Sequence, residues 1–313
     1  MTQISASMVK ELREKTGAGM MDCKSALTSA GNDMEGAIKI LREKGLAKAA
    51  KKTSRVAAEG LVGVYVNGSK AALIELNCET DFVSRNDDFK KLVDDMAKTA
   101  WAYTPKAGQN TREIDGSELS QAQTPSGESV ESLINEKIAV IGEKIALRRF
   151  ALLCGADVYG AYIHGAGSIG VLVAAKLNDA ALGKKPEVEQ AMRDIAMHIT
   201  AASPTFIREN EIPDNWIKSE REIFTTQVLA SGKPAEMVEK IVDGKMAKHK
   251  KDFCLLDQPF VKNPDLTVQG MLNELAKNTG AHVEITSIVR FKVGEGIEKQ
   301  SDNLADEVRK MTE

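Results

Sequence analysis

The same succession of patterns occurs twice in this chain, about one hundred positions apart, and that duplication limits the fold more than any other feature of the sequence. In the first copy Leu61, Val62, Val64 and Val66 precede Asn67-Gly68, the strongest short-range signal for a hairpin turn, and residues 71–76 return as a second apolar run. Phe89, Leu92, Val93, Met96 and Ala97 then recur at helical spacing. In the second copy Val158, Tyr159, Ala161, Tyr162 and Ile163 lead into a glycine-rich turn, residues 171–175 return, and residues 188–199 read as a helix. Gly63-Val64-Tyr65-Val66 aligns with Gly160-Ala161-Tyr162-Ile163, and Asp95-Met96-Ala97 with Asp194-Ile195-Ala196. A hairpin followed by a helix, twice, predicts an α+β fold: a duplicated core of two related subdomains, each with an antiparallel sheet and helices covering one face.

Around this core the punctuation is sharp. Met8, Val9 and Leu12 stripe a first helix that ends at Thr16-Gly17-Ala18-Gly19, and Met20, Cys23, Ala26 and Leu27 line a second. Gly31 supplies a helix-terminating residue, Asn32 or Asp33 a side-chain cap for a third helix, and Ala37, Ile38 and Leu41 face inward before Gly45 stops the run. Residues 103–130, rich in Gly, Ser, Thr, Pro and Gln, read as a surface connection with little burial. Residues 133–150 return to helical spacing, the last few turning extended. Ile217, Phe224 and Val228 face Met237, Ile241 and Met246 across the turn Ser231-Gly232-Lys233-Pro234, which predicts an inserted antiparallel helical hairpin. Residues 253–256 and 283–293 read as further strands, and residues 304–311 as a short terminal helix.

The expected organisation is therefore a three-helix module over residues 1–55, then a first core subdomain over 56–150 with a flexible insert near 103–130. A second core subdomain follows over 151–296, interrupted by the helical arm near 200–250, and a C-terminal helical module occupies 297–313.

Composition narrows the function classes. A net charge of -3 removes the electrostatic argument for non-specific nucleic-acid binding, so no direct nucleic-acid partner is expected. The basic run Arg42, Lys44, Lys48, Lys51, Lys52 and Arg55 reads either as a solvated helix face or as a partner surface. Four cysteines, Cys23, Cys78, Cys154 and Cys254, form no CxxC pair, and no signal-like apolar stretch follows Met1, which points to a reducing cytoplasm. The most apolar run, residues 169–175, is too short to cross a bilayer.

Catalytic chemistry finds no foothold. Gly165-Ala166-Gly167-Ser168-Ile169-Gly170 satisfies GxGxxG, but the pattern binds a pyrophosphate only where it opens a helix, and an apolar strand follows it here. There is no GxSxG elbow, no P-loop, no HExxH, and the four histidines lack metal-ligand spacing. No enzyme activity, cofactor or metal is expected. His164, at a strand end beside a turn, reads as a surface or packing histidine or as a partner contact, and His198 as structural. Glu79 and Asp81 are too few oxygen ligands for a hard cation.

One segment stands apart. Between the run at 71–76 and the helix beginning near Asp87 lies the polar stretch Asn77-Cys78-Glu79-Thr80-Asp81-Phe82-Val83-Ser84-Arg85-Asn86, with a phenylalanine amid charges and turns. Phe82 either folds onto its own core or is offered to another protein, and burial in a partner supplies ~1.5 to 3 kcal/mol.

Lys10-Glu11-Leu12-Arg13-Glu14-Lys15-Thr16-Gly17-Ala18-Gly19-Met20-Met21-Asp22-Cys23-Lys24, together with Asn77-Cys78-Glu79-Thr80-Asp81-Phe82-Val83, resembles the bacterial translation elongation factor Ts family. The resemblance continues through His164-Gly165-Ala166, Ser231-Gly232-Lys233-Pro234, Gln258-Pro259-Phe260 and Val293-Gly294-Glu295-Gly296-Ile297-Glu298, nearly the whole chain; residues 103–130 are less typical. It implies a guanine-nucleotide exchange factor for elongation factor Tu, the GTPase that delivers aminoacyl-tRNA. Thr80, Asp81, Phe82 and Val83 match the family's TDFV motif, whose ring disturbs the Mg and phosphate environment of the GTPase. Arg13, Met20 and Met21 match contacts near the base-binding side, and His164 lies on the stretch similar to the surface that holds the third domain of elongation factor Tu. The helical hairpin resembles the family's dimerisation arm, which implies self-association through it or a 2:2 complex with the GTPase.

Overall fold

A computed structural model describes residues 4–232 and 234–298. Three helices open the described chain: α1 (Ala6–Thr16), α2 (Met20–Ser29) and α3 (Met34–Lys52). Ser5 caps α1 by accepting from the backbone N–H of Met8 at 3.2 Å, and Gly17, at φ +65°, closes it in the left-handed conformation that glycine adopts without strain. Asp33 rather than Asn32 caps α3, accepting from Glu35 and Gly36. Val9, Leu12, Cys23, Ala26, Leu27 and Ala37 form the small shared core.

Two expectations fail in this module. Met20 does not line α2 from inside but is 58% exposed, because Cys23, Ala26 and Leu27 already fill the narrow space beneath α1. Gly45 does not stop α3, which runs on to Lys52. Its backbone is helical, and a Cβ there would lie 3.0 Å from that of Ala139, so the residue serves close helix contact rather than termination.

The core follows as β1 (Glu59–Asn67), β2 (Lys70–Cys78), the one-turn helix α4 (Asp81–Ser84), α5 (Asp87–Ala102), β3 (Ile114–Asp115), α6 (Val130–Ile141) and β4 (Ile145–Cys154). After them come β5 (Val158–His164), β6 (Ile169–Leu177) and α7 (Pro186–Ala202), then the arm helices α8 (Asp214–Ala230) and α9 (Ala235–Phe253). The last described elements are β7 (Pro259–Phe260), β8 (Asn263–Thr267), α10 (Val268–Thr279) and β9 (Val283–Lys292). The sheets run β1-β2-β4-β3, β5-β6-β9 and β7-β8, which makes the fold α+β.

By internal packing the chain divides into two compact units. One holds the residues up to Gly63, Ile74–Phe150 and those from Lys292 on; the other holds Val64–Leu73 and Ala151–Phe291. In the first, Glu75 on β2 is wholly buried, and its carboxylate accepts from Arg148 at 3.0 Å, from Arg149 Nε at 2.7 Å and from the backbone N–H of Gly294 at 2.8 Å. A buried carboxylate is tolerable only with its lone pairs used, and here they tie β2 to β4 and to the turn after β9. In the second unit Val158, Val171, Val173 and Ala175 of the β5-β6 hairpin pack against Val188, Met192, Ile195 and Ile199 of α7.

The duplication has a steric signature. A Cβ on Gly63 of β1 would lie 2.5 Å from the side chain of Val93, and one on Gly160 of β5 would lie 2.3 Å from the carbonyl oxygen of Met192. Val93 and Met192 hold the same place, two residues before Asp95-Met96-Ala97 and Asp194-Ile195-Ala196. At Gly160 the helix backbone leaves no room for a side chain, and at Gly63 the Val93 side chain fills that room, with the Val93 carbonyl 3.3 Å away.

Three other expectations are corrected. Residues 133–150 do turn extended, but well before their last few residues: Gly142, at φ +83°, ends α6, and strand β4 begins at Ile145, where Arg148 and Arg149 reach Glu75. Residues 103–130 are the mostly exposed surface connection expected, but one pinned at a few buried points. Ile114 pairs with Phe150, Leu119 is fully buried, and Tyr103 meets Phe150 edge-on at 5.2 Å; isolated apolar residues in polar sequence show no period, so the burial was invisible beforehand. Residues 253–256 are not a strand, since Phe253 ends α9, Cys254 makes a single bridge to Phe206, and Leu255–Asp257 is one 3-10 turn.

The arm is the expected helical hairpin, with one change of contact. Val228, Val238, Val242 and Met246 form its seam with Ile217, Phe224 and Ile241 against them, while Met237 faces solvent. The terminal helix expected at 304–311 lies outside the described residues. Among the described residues no helix is long and apolar enough to cross a membrane.

Two outcomes follow from the packing. Gly160→Ala places a methyl against backbone and is expected to cost about 1–3 kcal/mol, whereas Gly68→Ala, in open space at φ +56°, costs about 1–2 kcal/mol through backbone strain alone. Urea unfolding of each variant measures the difference, and in Gly160→Ala the α7 amides should lose protection first. Separately, His198 is buried on α7, its Nδ1 accepting from Val261 N–H at 3.2 Å and its Nε2 donating to Gln258 Oε1 at 2.9 Å. Burial lowers its pKa, although the Gln258 bond opposes the shift, so protons bind the unfolded chain first. This contribution to stability is complete above about pH 6.5 and is lost as pH falls through the folded pKa. Unfolding free energies measured from pH 7.5 down to 5 should show that loss, and His198→Gln should flatten it.

Candidate functional site

The corner between β2 and α5 is built to hold a side chain outward. β2 leaves the sheet at Cys78, Thr80 is extended at the N-cap position, and Asp81–Ser84 makes a single helical turn before Asn86 caps α5 by accepting from Asp88 N–H. On that turn Phe82 is 80% exposed, while Ser84 is buried and its hydroxyl donates to the carbonyl of Asp81 at 2.8 Å. Asp81 is paired with Arg85 at 2.6 Å. Phe82 therefore does not pack into its own core. An isolated apolar ring in water is ordinary on its own; one raised on an anchored polar turn is a ready contact for another surface.

The anchors come from three segments. Thr80 donates its backbone N–H to Glu143 Oε2 at 2.9 Å and its hydroxyl to Glu143 Oε1 at 2.6 Å. Glu79 accepts from the backbone N–H of Lys144 at 2.6 Å and from Arg55 at 3.1 and 3.3 Å. Lys144 Nζ in turn donates to the carbonyls of Thr53 and Arg55 at 2.7 and 2.8 Å. Sequence reasoning singled out neither Glu143 nor Lys144. Their only local signal is the glycine at 142, which marks a turn but not what the turn holds.

Beneath the corner Cys78 is fully buried, its thiol donating to the carbonyl of Thr80 at 3.2 Å. Burial, with the carboxylates of Glu143 and Glu59 nearby, pushes this thiol up to about 12, so it stays protonated and serves packing.

The other residues singled out in the sequence lie elsewhere. Arg13 is exposed near the end of α1, and Met20 and Met21, 58% and 76% exposed, sit at the start of α2. His164 is exposed at the end of β5, its ring 6.0 Å from that of Tyr162, with Nδ1 3.3 Å from the tyrosine hydroxyl. It pairs across the hairpin with Ile169. The glycines at 165 and 167 form one 3-10 turn joining β5 to β6, with no helix behind it, so the GxGxxG pattern has no helix N-terminus to offer a pyrophosphate. Among the described residues no group of three or more His, Cys, Asp or Glu is placed to hold a metal.

A family model described as "Elongation factor TS" matches residues 79–295. The protein "Elongation factor Ts" of Clostridioides difficile (strain 630) is 45% identical over 312 residues, covering 99% of each chain.

Thiol labelling tests the reading of the corner. In the native protein a maleimide or iodoacetamide should modify the exposed Cys154 rapidly and leave Cys78 untouched until urea unfolds the chain, as peptide mass mapping would show. Native-state labelling of Cys78 at the rate of Cys154 would mean that the corner is open.

Proposed function

The chain belongs to the elongation factor Ts family, and we propose that it is a guanine-nucleotide exchange factor that binds elongation factor Tu carrying GDP and promotes GDP release, so that GTP can rebind during translational elongation in the cytoplasm. The observation that carries this reading is Phe82, 80% exposed on a one-turn helix whose base is tied down by Glu143 and Glu79.

No covalent step is required. If the factor binds the empty GTPase more tightly than the GDP form, linkage obliges it to weaken GDP by the same factor, and a thousandfold weakening corresponds to about 4 kcal/mol of differential binding. Phe82, inserted beside the nucleotide, supplies ~1.5 to 3 kcal/mol of that by leaving water, and does so only where Mg and phosphate contacts have given way. Thr80, Asp81 and Val83 shape the segment that enters. Arg13, Met20 and Met21 make a second contact near the base, the methionines offering flexible apolar surface that adapts to a partner. His164, on the other compact unit, contacts the third domain of the GTPase. Rebinding of GTP, present in excess, then expels the factor.

The division of labour proposed with this reading assigns GTPase binding to residues 1–55 and the exchange segment to the core subdomain 56–150. The core subdomain 151–296 holds the third domain, its helical arm provides self-association or a 2:2 assembly, and residues 297–313 form a further contact module.

Stopped-flow release of fluorescent GDP from elongation factor Tu tests the reading. Phe82→Ala should keep the wild-type unfolding midpoint, since surface substitutions usually stay within about 0.5 kcal/mol, yet lose about tenfold to a hundredfold of the acceleration. The loss should shrink as Mg is lowered, because a metal site already emptied needs no displacement. Equal affinity of the chain for the GDP-bound and empty GTPase would reduce it to a passive binding module.

A further inference from the structure

An unbroken set of hydrogen bonds joins the Phe82 corner to the end of α3. The turn from Gly142 to Lys144 stands between them: the ammonium of Lys144 holds the carbonyls of Thr53 and Arg55, its N–H holds Glu79, and its neighbour Glu143 takes both donors of Thr80. Lys52, on the last turn of α3, donates to the carbonyl of Gly142 at the other end of the same turn. Arg55 closes the set on Glu79.

The local chemistry of α4 shows what the set does. A threonine at an N-cap normally turns its oxygen inward to accept from the first free N–H groups of its helix. Thr80 does not: α4 has no side-chain cap, and the hydroxyl is oriented to donate to Glu143. A single turn cannot sustain itself by its own hydrogen bonds. An exposed ring on such a turn gains by collapsing onto the nearest apolar surface, and only an external tie opposes that.

We propose that Glu143 is a positioning residue for Phe82, and that through Lys144 the outward pose of the ring depends on how the end of α3 is docked. The inference rests on the exchange reading above and deepens it: the wedge is rigid before it meets the GTPase, and the docking of the end of α3 sets that rigidity. Preorganisation of this kind raises the maximal exchange rate without adding a contact to the partner.

Two readouts separate the proposal from a general structural role: the 15N order parameter of the Phe82 amide, and the maximal rate of GDP release at saturating factor. In Glu143→Ala the order parameter should fall from about 0.85 to below about 0.6, and the maximal rate by about tenfold, with the half-saturating concentration unchanged. Glu143→Gln should retain both values, since its amide accepts from the Thr80 N–H and donates to the hydroxyl. Should Glu143→Ala not fold, Thr80→Val, which removes only the 2.6 Å bond, carries the same expectation. In a Phe82→Ala background Glu143→Ala should change the rate no further. Lys144→Met, which touches neither Thr80 nor Phe82, should also lower the order parameter.

A wild-type order parameter in Glu143→Ala overturns the positioning role. An undiminished rate loss in the Phe82→Ala background overturns it equally, and an unchanged Phe82 amide in Lys144→Met overturns the link to α3. If Phe82→Ala alone leaves exchange untouched, the wedge role of Phe82 fails, while the order parameters still decide whether Glu143 and Lys144 hold the turn.

Discussion

Each half of the core depends on a helix laid so close to a β-hairpin that one strand residue can carry no side chain. The Val93 side chain over Gly63 and the Met192 backbone over Gly160 stand at matching places in the two copies. The close approach brings the apolar face of each helix onto its hairpin and excludes water from between them, which is where most of the favourable free energy of such a layer arises. It also fixes direction. With α5 held at this distance above its hairpin, the chain between the end of β2 and the start of α5 has only the residues from Glu79 to Asn86 in which to turn, and it turns sharply.

A tight turn between buried elements leaves polar backbone to satisfy, and the solution here is unusually dependent on side chains. Glu79, Glu143, Lys144 and Arg55 do what secondary structure does elsewhere. The consequence for function is geometric. Polar groups face inward to one another, Ser84 turns into the fold, and the apolar ring at position 82 is left facing water. On the proposed reading, a partner that buries this ring would gain its desolvation without first meeting the cost of ordering it.

Glu75 shows the same economy in the first compact unit. It is a carboxylate with no exposed surface, tolerated because two arginines of β4 and the N–H of Gly294 use its lone pairs. Removing one arginine leaves the buried carboxylate a single counter-charge and unused lone pairs, so these residues act as a group and not as separable contributions.

Much of this was legible from residue order alone. Periodicity and turn chemistry located both hairpins, the helices that cover them, the three opening helices and the arm, because each is specified by local preferences that agree with one another: Asn67-Gly68 for the turn, Asn32 or Asp33 for a cap, Gly17 for a helix end. The Thr80-Val83 motif could be picked out because a phenylalanine amid charges contradicts its surroundings. What the sequence could not decide was every feature set by a partner distant along the chain. Gly45 reads as a helix stop until Ala139 lies against it; Met20 and Met237 read as core until other residues fill the space; residues 133–150 read as helix almost to their end until Glu75 claims Arg148 and Arg149 for a strand that starts at Ile145. Local free energies of a few tenths of a kcal/mol per residue choose helix or strand in isolation, but burial and charge pairing across the fold are larger. So residue order determined the two hairpins, the helices that cover them, the opening helices and the arm, and tertiary packing alone decided that Glu143 would grip Thr80 and that Phe82 would face out.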